Sequence, residues 1–371
     1  MARILPKFTD SLRAETRALV TPGPRMADEW ACVASVMLAI VLAHALGAGM
    51  VSWAAFSAFV LLKSDVSETL LRGVMRIAGT MLGSALALAI VPYAAHSLPL
   101  AMVAAALVGA VGLYGMITAR RAYAWLLFGL TFEMILLDKI ERPDLDTIGF
   151  AQTRLLEVVA GTVACTVVSL TAGALAGKRW WAQRKVPPDR MRWHPHAARH
   201  AAQAGLAIAV LPVLHALFDI PELPQAAVTI MAVMIVPVTG IGASGFVPVS
   251  RRLVQRALGC MAGGALALAA LLLAQGSAPV LIAATCIGIV IGRHIENGVP
   301  GATYIGLQFT LAVLVVLVPD SYADAAIGPA IQRLVSVFIG MAVLEPVLLA
   351  WHFVAPGIKA RARTPDAENA E

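Results

Sequence analysis

Apolar residues in this chain come in unbroken blocks rather than in alternation with polar ones. Runs such as LAVLVVLV at 311–318 and ALALAALLLA at 265–274 carry no polar position through two helical turns or more. A strand crossing a membrane would alternate over about ten residues, and helices and closed barrels are the two structures that satisfy the backbone in hydrocarbon. The blocks are about 17 to 22 residues long, the length a helix needs to cross a layer of ~30 Å. They predict helices near 30–47, 50–63, 73–93, 98–117, 122–137 and 150–176, then near 199–217, 224–239, 252–274, 278–292, 300–318 and 328–354. The expected fold class is an all-α integral membrane protein of about 12 transmembrane helices.

Composition removes the alternative that length suggests. Two soluble domains would fit 371 residues, but 59% of these are hydrophobic and 13% charged, against roughly 25% charged in soluble domains. No water-soluble core could hide that much apolar surface. All four cysteines (Cys32, Cys165, Cys260, Cys286) sit in apolar runs and read as small buried hydrophobes, with no disulfide or metal spacing.

Charge gives the orientation. With the N-terminus inside, every Lys and Arg except Lys139, Arg142, Arg154 and Arg333 falls in a cytoplasmic loop or at a cytoplasmic helix end. The opposite loops carry Asp138, Glu141, Asp144, Asp146, Asp219, Glu222, Asp320 and Asp324. The first 28 residues, with Arg3, Lys7, Arg13, Arg17 and Arg25, read as a retained tail and not a signal peptide. The expected organisation is a cytoplasmic tail (1–28), a six-helix repeat (29–176), a basic cytoplasmic linker (177–198), a second six-helix repeat (199–354) and a cytoplasmic tail (355–371). The net charge of +6 then reports topology and contact with an anionic lipid bilayer, not nucleic acid.

The repeat rests on four ordered matches. RGVMRIAGTMLGSALAL at 72–88 returns as RLVQRALGCMAGGALAL at 252–268, pairing Arg76 with Arg256, Gly79 with Gly259 and Gly83 with Gly263. QTRLLEVVAG at 152–161 returns as IQRLVSVFIG at 331–340, pairing Arg154 with Arg333. GLTF (129–132) answers GLQF (306–309), and HAL recurs at 44–46 and 215–217. An even number of helices per copy makes the copies parallel. Glycines at i and i+4 (Gly79/Gly83, Gly259/Gly263) suit close helix packing, with a kink or pathway role as the alternative.

Few polar residues lie within the apolar blocks, and each has a plain reading beside a functional one. Arg72 and Arg252 are expected to snorkel to headgroups, as Arg76 and Arg256 one turn deeper also could. Recurrence next to the glycines, and a guanidinium's fit to carboxylates, make Arg76 and Arg256 candidate anion contacts. Arg154 has Glu157 at i+3, a sufficient intrahelical pair, whereas Arg333 has Ser336 there and needs another acid, water or an anionic substrate. Glu133, with Gln308 and Thr310 near its repeat position, either carries a proton or hydrogen-bonds a neighbouring helix as a neutral acid. Glu345 before Pro346 fits a helix kink, and His44 and His215 fit interface anchoring, with proton sensing as the alternative. Helices 2 and 8 are short, and helix 8 runs into Pro237, Gly240 and Gly242; with NGVPG at 297–301, such breaks point to a binding site. No nucleotide loop, metal-ligand pair or nucleophile–base arrangement is present, so the chain reads as a non-enzyme without cofactor or metal.

RIAGTMLG at 76–83 and RLLEVVAG at 154–161, both recurring later, resemble the FUSC superfamily over roughly residues 30–354. That group comprises fusaric acid resistance proteins and aromatic acid exporters, distantly similar to plant aluminium-activated malate transporters. The resemblance implies a bacterial inner-membrane exporter of aromatic or other organic acid anions, often served by a periplasmic adaptor protein. It places an anion pathway on Arg76, Arg256, Arg154 and Arg333. Longer relatives carry large cytoplasmic domains after each six-helix unit, which the short linker here lacks. The competing class is a non-transporting subunit or scaffold that docks partners through the basic linker. A homo-oligomer is compatible with either.

Overall fold

The computed structural model describes residues 15, 17–19, 21–177, 193–241, 245–298, 301–319 and 327–361, with side chains to 353 in the last segment. Most of the basic linker, the first 14 residues, Asp320, Asp324, Gly242 and the end of the C-terminal tail lie outside the described residues.

The described residues form helices joined by turns and loops, without a strand. We number the helices α1 (Pro24–Ala45), α2 (Val51–Leu61), α3 (Val66–Ala94), α4 (Leu98–Thr118), α5 (Ala122–Glu141), α6 (Thr147–Leu175), α7 (Pro195–Phe218), α8 (Leu223–Val233), α9 (Phe246–Ala274), α10 (Ala278–Gly298), α11 (Thr303–Leu317) and α12 (Ile327–Arg361). A single helical turn, Val238–Ile241, follows α8. Proline in the first turn starts α1, α4, α7 and α8, where its missing N–H costs no helical bond.

This is an all-α membrane protein. Among the described residues, eight helices are long and apolar enough to cross a membrane: α1, α3, α4, α6, α7, α9, α10 and α12. Three apolar helices are too short to do so alone. α2 and α8 have 11 residues each, about 16 Å, and α11 has 15, about 22 Å. α5 has 20 residues but ends in Asp138, Lys139 and Glu141. On α3, Val74, Met81 and Leu88 recur every seventh position and are exposed, as are Val254 and Met261 on α9. Such stripes would be a liability in water and are what a lipid-facing surface requires.

The chain divides into two compact units, and each draws on both halves of the sequence. One comprises residues up to Gly73, Leu156–Arg184 and Gln255–Leu334, and so holds α1, α2, α10 and α11. The other comprises Val74–Leu155, Lys185–Val254 and Val335 onward, and holds α4, α5, α7 and α8. α3, α6, α9 and α12 contribute residues to both. In the first unit α10 packs on α11 and α1, and α1 on α2; in the second α4 packs on α7 and α5, and α5 on α8.

Small residues set the closest approaches. A Cβ at Gly83 would stand 2.5 Å from the Phe128 carbonyl oxygen, and one at Gly79 2.9 Å from Leu127 Cβ, so α3 lies directly on α5 there. Gly259 holds the same relation to the Ile305 carbonyl at 2.6 Å, and Gly263 to the backbone of Phe309, where α9 meets α11. Gly340 does so between α12 and the Ala226 carbonyl of α8, at 2.5 Å.

Candidate functional site

The two arginines beside these glycine notches are buried. Arg76, 8% exposed, donates from Nη1 to the Tyr123 hydroxyl at 2.8 Å, from α3 to the first turn of α5. Arg256, 4% exposed, donates from Nη1 to Gln308 Oε1 at 2.5 Å, from α9 to α11. Both named partners are neutral. Arg76 makes no ion pair among the described residues, and its Nε is buried without an acceptor. Gln308 is itself 1% exposed. The residue one turn toward the start of each helix is used differently. Arg72 pairs with Glu68 at 3.1 Å, and Arg252 donates to the Ile235 carbonyl beyond the end of α8. Arg252 therefore caps backbone, where snorkelling to headgroups was expected.

Arg154 and Arg333 are held within the protein. Arg154, 4% exposed, lies 4.0 Å from Asp138 and over the Phe150 ring at 4.8 Å. Asp138 is also paired with Arg142. Arg333 is half-buried and has a partner inside the protein, so depth alone does not oblige it to wait for an anion. Glu157, fully buried, accepts from the backbone N–H of Met50 at 2.9 Å, the residue just before α2. Ser336 donates to the carbonyl of Glu222, the residue just before α8, at 2.5 Å.

Glu133 is fully buried in α5. Its carboxyl sits against Gly109 of α4, where a Cβ would stand 3.3 Å from Oε1 and 2.7 Å from Ile208 of α7. The site is thus enclosed by three helices of one unit. His44 is exposed; half-buried His215 has its Nδ1 3.0 Å from the Ile220 carbonyl and 4.0 Å from Asp219. Glu345 accepts from Ser250 at 3.2 Å. The structure joins Arg256 to Gln308.

Two features escaped the sequence reading. The first is an ionic network between α1 and α10. Arg293, 4% exposed, pairs with Asp28 at 2.7 Å and Glu296 at 3.0 Å, and donates to the Leu62 carbonyl at the end of α2. His294, also 4% exposed, places Nδ1 2.7 Å from Glu29, which is 1% exposed, and Nε2 3.2 Å from Glu15. Asn297 donates to Asp28 and Arg25 to the His294 carbonyl. In the other unit His200 Nε2 contacts the Met234 carbonyl at 2.9 Å, at the end of α8. Short helices that stop inside an apolar body leave carbonyls without partners, and here side-chain donors satisfy them.

The second is Glu141, beyond the apolar run of α5. It accepts from the backbone N–H groups of Glu222 (3.0 Å) and Leu223, capping α8 across the unit. Burial pushes its carboxyl up to about 7, opposed by the Leu223 N–H and reinforced by Asp138. A carboxyl raised in the fold from 4.5 to about 7 contributes stability that is complete below pH 4.5 and lost as pH rises through about 7. The melting temperature of the purified protein is therefore expected to fall across that window, and Glu141→Gln to flatten the fall. An unchanged slope in Glu141→Gln would assign the effect elsewhere.

Residues 38–168 match the protein family described as fusaric acid resistance protein-like. Over this segment, about a third of its length, the chain is similar to that family. No protein of curated function and no solved structure matches the chain. The fusaric acid resistance-like segment contains Arg76, Gly79, Gly83, Glu133, Arg154 and Glu157, while Arg256, Gln308 and Arg333 lie beyond it. This family similarity and the many apolar helices together point to a multi-pass membrane transport protein.

Proposed function

We propose that the protein exports organic acid anions, aromatic carboxylates foremost, from the cytoplasm across a bacterial inner membrane. The observation that carries this reading is Arg76: a guanidinium 8% exposed, hydrogen-bonded to a neutral hydroxyl and in no ion pair among the described residues. A cation so placed in an apolar body attracts an anion. Arg256 occupies the corresponding place beside Gly259 and also donates to a neutral group, so each unit offers one buried arginine beside a glycine notch. The sequence duplication and the paired packing of α3 on α5 and α9 on α11 support twelve crossings from two parallel six-helix repeats, with both termini cytoplasmic. Arg154, set against Asp138, and Arg333 are secondary contacts in this scheme.

Outward movement of one negative charge through an inside-negative potential is favourable by ~2.3 kcal/mol per 100 mV, so no coupling ion is required. Enclosed Glu133 is the group through which proton antiport would run. Efflux driven by an imposed proton gradient at zero membrane potential would demand that version.

The test is efflux of labelled aromatic and aliphatic carboxylates from cells lacking their own exporters, with and without a periplasmic adaptor. Wild type is compared with Arg76→Gln/Arg256→Gln at matched expression. The double variant is expected to lose tenfold or more in initial rate, since a hydrogen bond to a charged group is worth ~1.5–3 kcal/mol. Equal rates would remove the arginines from the route, and no carboxylate efflux by wild type would remove the substrate class.

A further inference from the structure

A cavity of about 410 Å³ opens within the first unit, walled by α1, the end of α2, the start of α3 and α6. Its apolar wall combines Pro24, Leu62 and Val66 with small side chains, Ala172 and Ala176 among them; Asp28, Lys63, Ser64 and Ser169 supply the polar part. The volume falls in the lower part of the ~300–1,000 Å³ range of small-molecule sites.

The charges around it are spoken for, with one exception. Asp28 is held by Arg293 at 2.7 Å and by Asn297 at 2.7 Å. Arg293 has Glu296 as its second carboxylate, and Arg72 is paired with Glu68. Lys63, on the cavity wall, enters no ion pair among the described residues. Its position is fixed by its own backbone: its N–H donates to Thr69 Oγ1 at 3.0 Å, and its carbonyl accepts from the same hydroxyl. The loop that carries it is further held by Asp65, which caps the N–H and hydroxyl of Ser67. Burial, followed by the nearby Arg72, lowers the ammonium from its ordinary value, so an incoming anion would restore what the fold withholds.

We infer that this cavity binds one small monocarboxylate, its carboxyl group on the Lys63 ammonium and its hydrocarbon part on the alanine wall of α6. A monoanion is favoured over phosphate because Asp28 shares the wall and repels a second negative charge. The inference rests on the export reading for its ligand class, and it names the site where that ligand is first held. By the charge pattern, this end of α1 and α3 faces the cytoplasm, the side from which an exported acid arrives.

The experiment is titration of the purified full chain in detergent with benzoate, benzamide and inorganic phosphate, using wild type, Lys63→Gln, Lys63→Arg and Ala172→Leu. Benzoate affinity is expected to drop about tenfold or more in Lys63→Gln. It should stay within about threefold in Lys63→Arg, and fall below detection when Ala172→Leu fills the space while the melting temperature holds. Benzamide should bind weakly and alike to wild type and Lys63→Gln. Equal benzoate affinity in wild type and Lys63→Gln, no benzoate binding by wild type, or tighter binding of phosphate would each overturn the site. Lys63-dependent binding in a protein that effluxes nothing would sink export and leave the site standing. Efflux with a KM untouched by Lys63→Gln would do the reverse.

Discussion

Arg293→Leu is expected to destabilise the protein by about 3 kcal/mol, the low end of the cost of breaking a buried ion pair, because it strands the half-buried carboxylates of Asp28 and Glu296. Arg293 is 4% exposed and holds Asp28 of α1 at 2.7 Å, Glu296 of its own helix at 3.0 Å, and the Leu62 carbonyl that ends α2. Its loss leaves two carboxylates and a backbone carbonyl facing one another in an apolar body. Asp28→Asn should cost less, because Arg293 keeps Glu296 and the Leu62 carbonyl. Combining the two changes should cost less than their sum, since one stranded charge is then gone. Thermal unfolding of the four proteins in one detergent measures this. A drop in Arg293→Leu no larger than that in Asp28→Asn would show that the network is solvated and contributes little.

Gly263→Ala should destabilise by about 1–3 kcal/mol, although alanine favours an exposed helix over glycine by ~1 kcal/mol. The added Cβ would meet the Phe309 carbonyl oxygen, with the Phe309 carbonyl carbon at 2.9 Å and Cα at 3.0 Å. All three are backbone atoms of α11, so no side-chain rotation relieves the overlap and α9 must move away from α11. That shift would also stretch the Arg256–Gln308 hydrogen bond, which spans the same two helices. Gly328→Ala is the control: nothing lies within 4 Å of its Cβ, so it should be neutral or slightly stabilising. If both variants melt alike, the close approach of α9 and α11 is not a constraint.

Helix positions were readable wherever a helix is apolar to its ends. α4 runs Leu98–Thr118 where 98–117 was expected, and α2 runs Val51–Leu61 where 50–63 was expected. The misses share a cause. α3 begins at Val66 rather than near 73, and α9 at Phe246 rather than near 252, because their first turns carry Ser67, Glu68 and Arg72, or Ser250, Arg251 and Arg252. Reading apolar blocks detects the hydrocarbon-crossing part of a helix and not its polar overhang. α8 errs the other way, stopping at Val233 instead of near 239, since Pro237 disfavours helix in the residue before it and removes an N–H.

The candidate site was legible in part. Recurrence next to glycines singled out Arg76 and Arg256, and both are buried. Their partners Tyr123 and Gln308 stand 47 and 52 positions away, and nothing local marks Tyr123 as a hydrogen-bond acceptor. Arg293 read as an ordinary cation at a helix end, and nothing in the sequence singled out His294, or Asp28 and Glu29, 265 positions earlier. Lys63 looked like one more loop cation.

What the sequence by itself determined is the phase this protein occupies and the secondary structure it adopts there. Both follow from properties that sum along a short stretch of chain: the transfer free energy of about twenty side chains, and the need of each backbone group for a partner within its own helix. Only the tertiary structure decided that α1 meets α10, that α4 meets α7, and that one unit gathers a buried ionic network while the other closes around Glu133. Those choices depend on glycine notches, cap donors and charge partners far apart in sequence. Each is energetically neutral until its counterpart arrives, and therefore leaves no periodic signal in the chain.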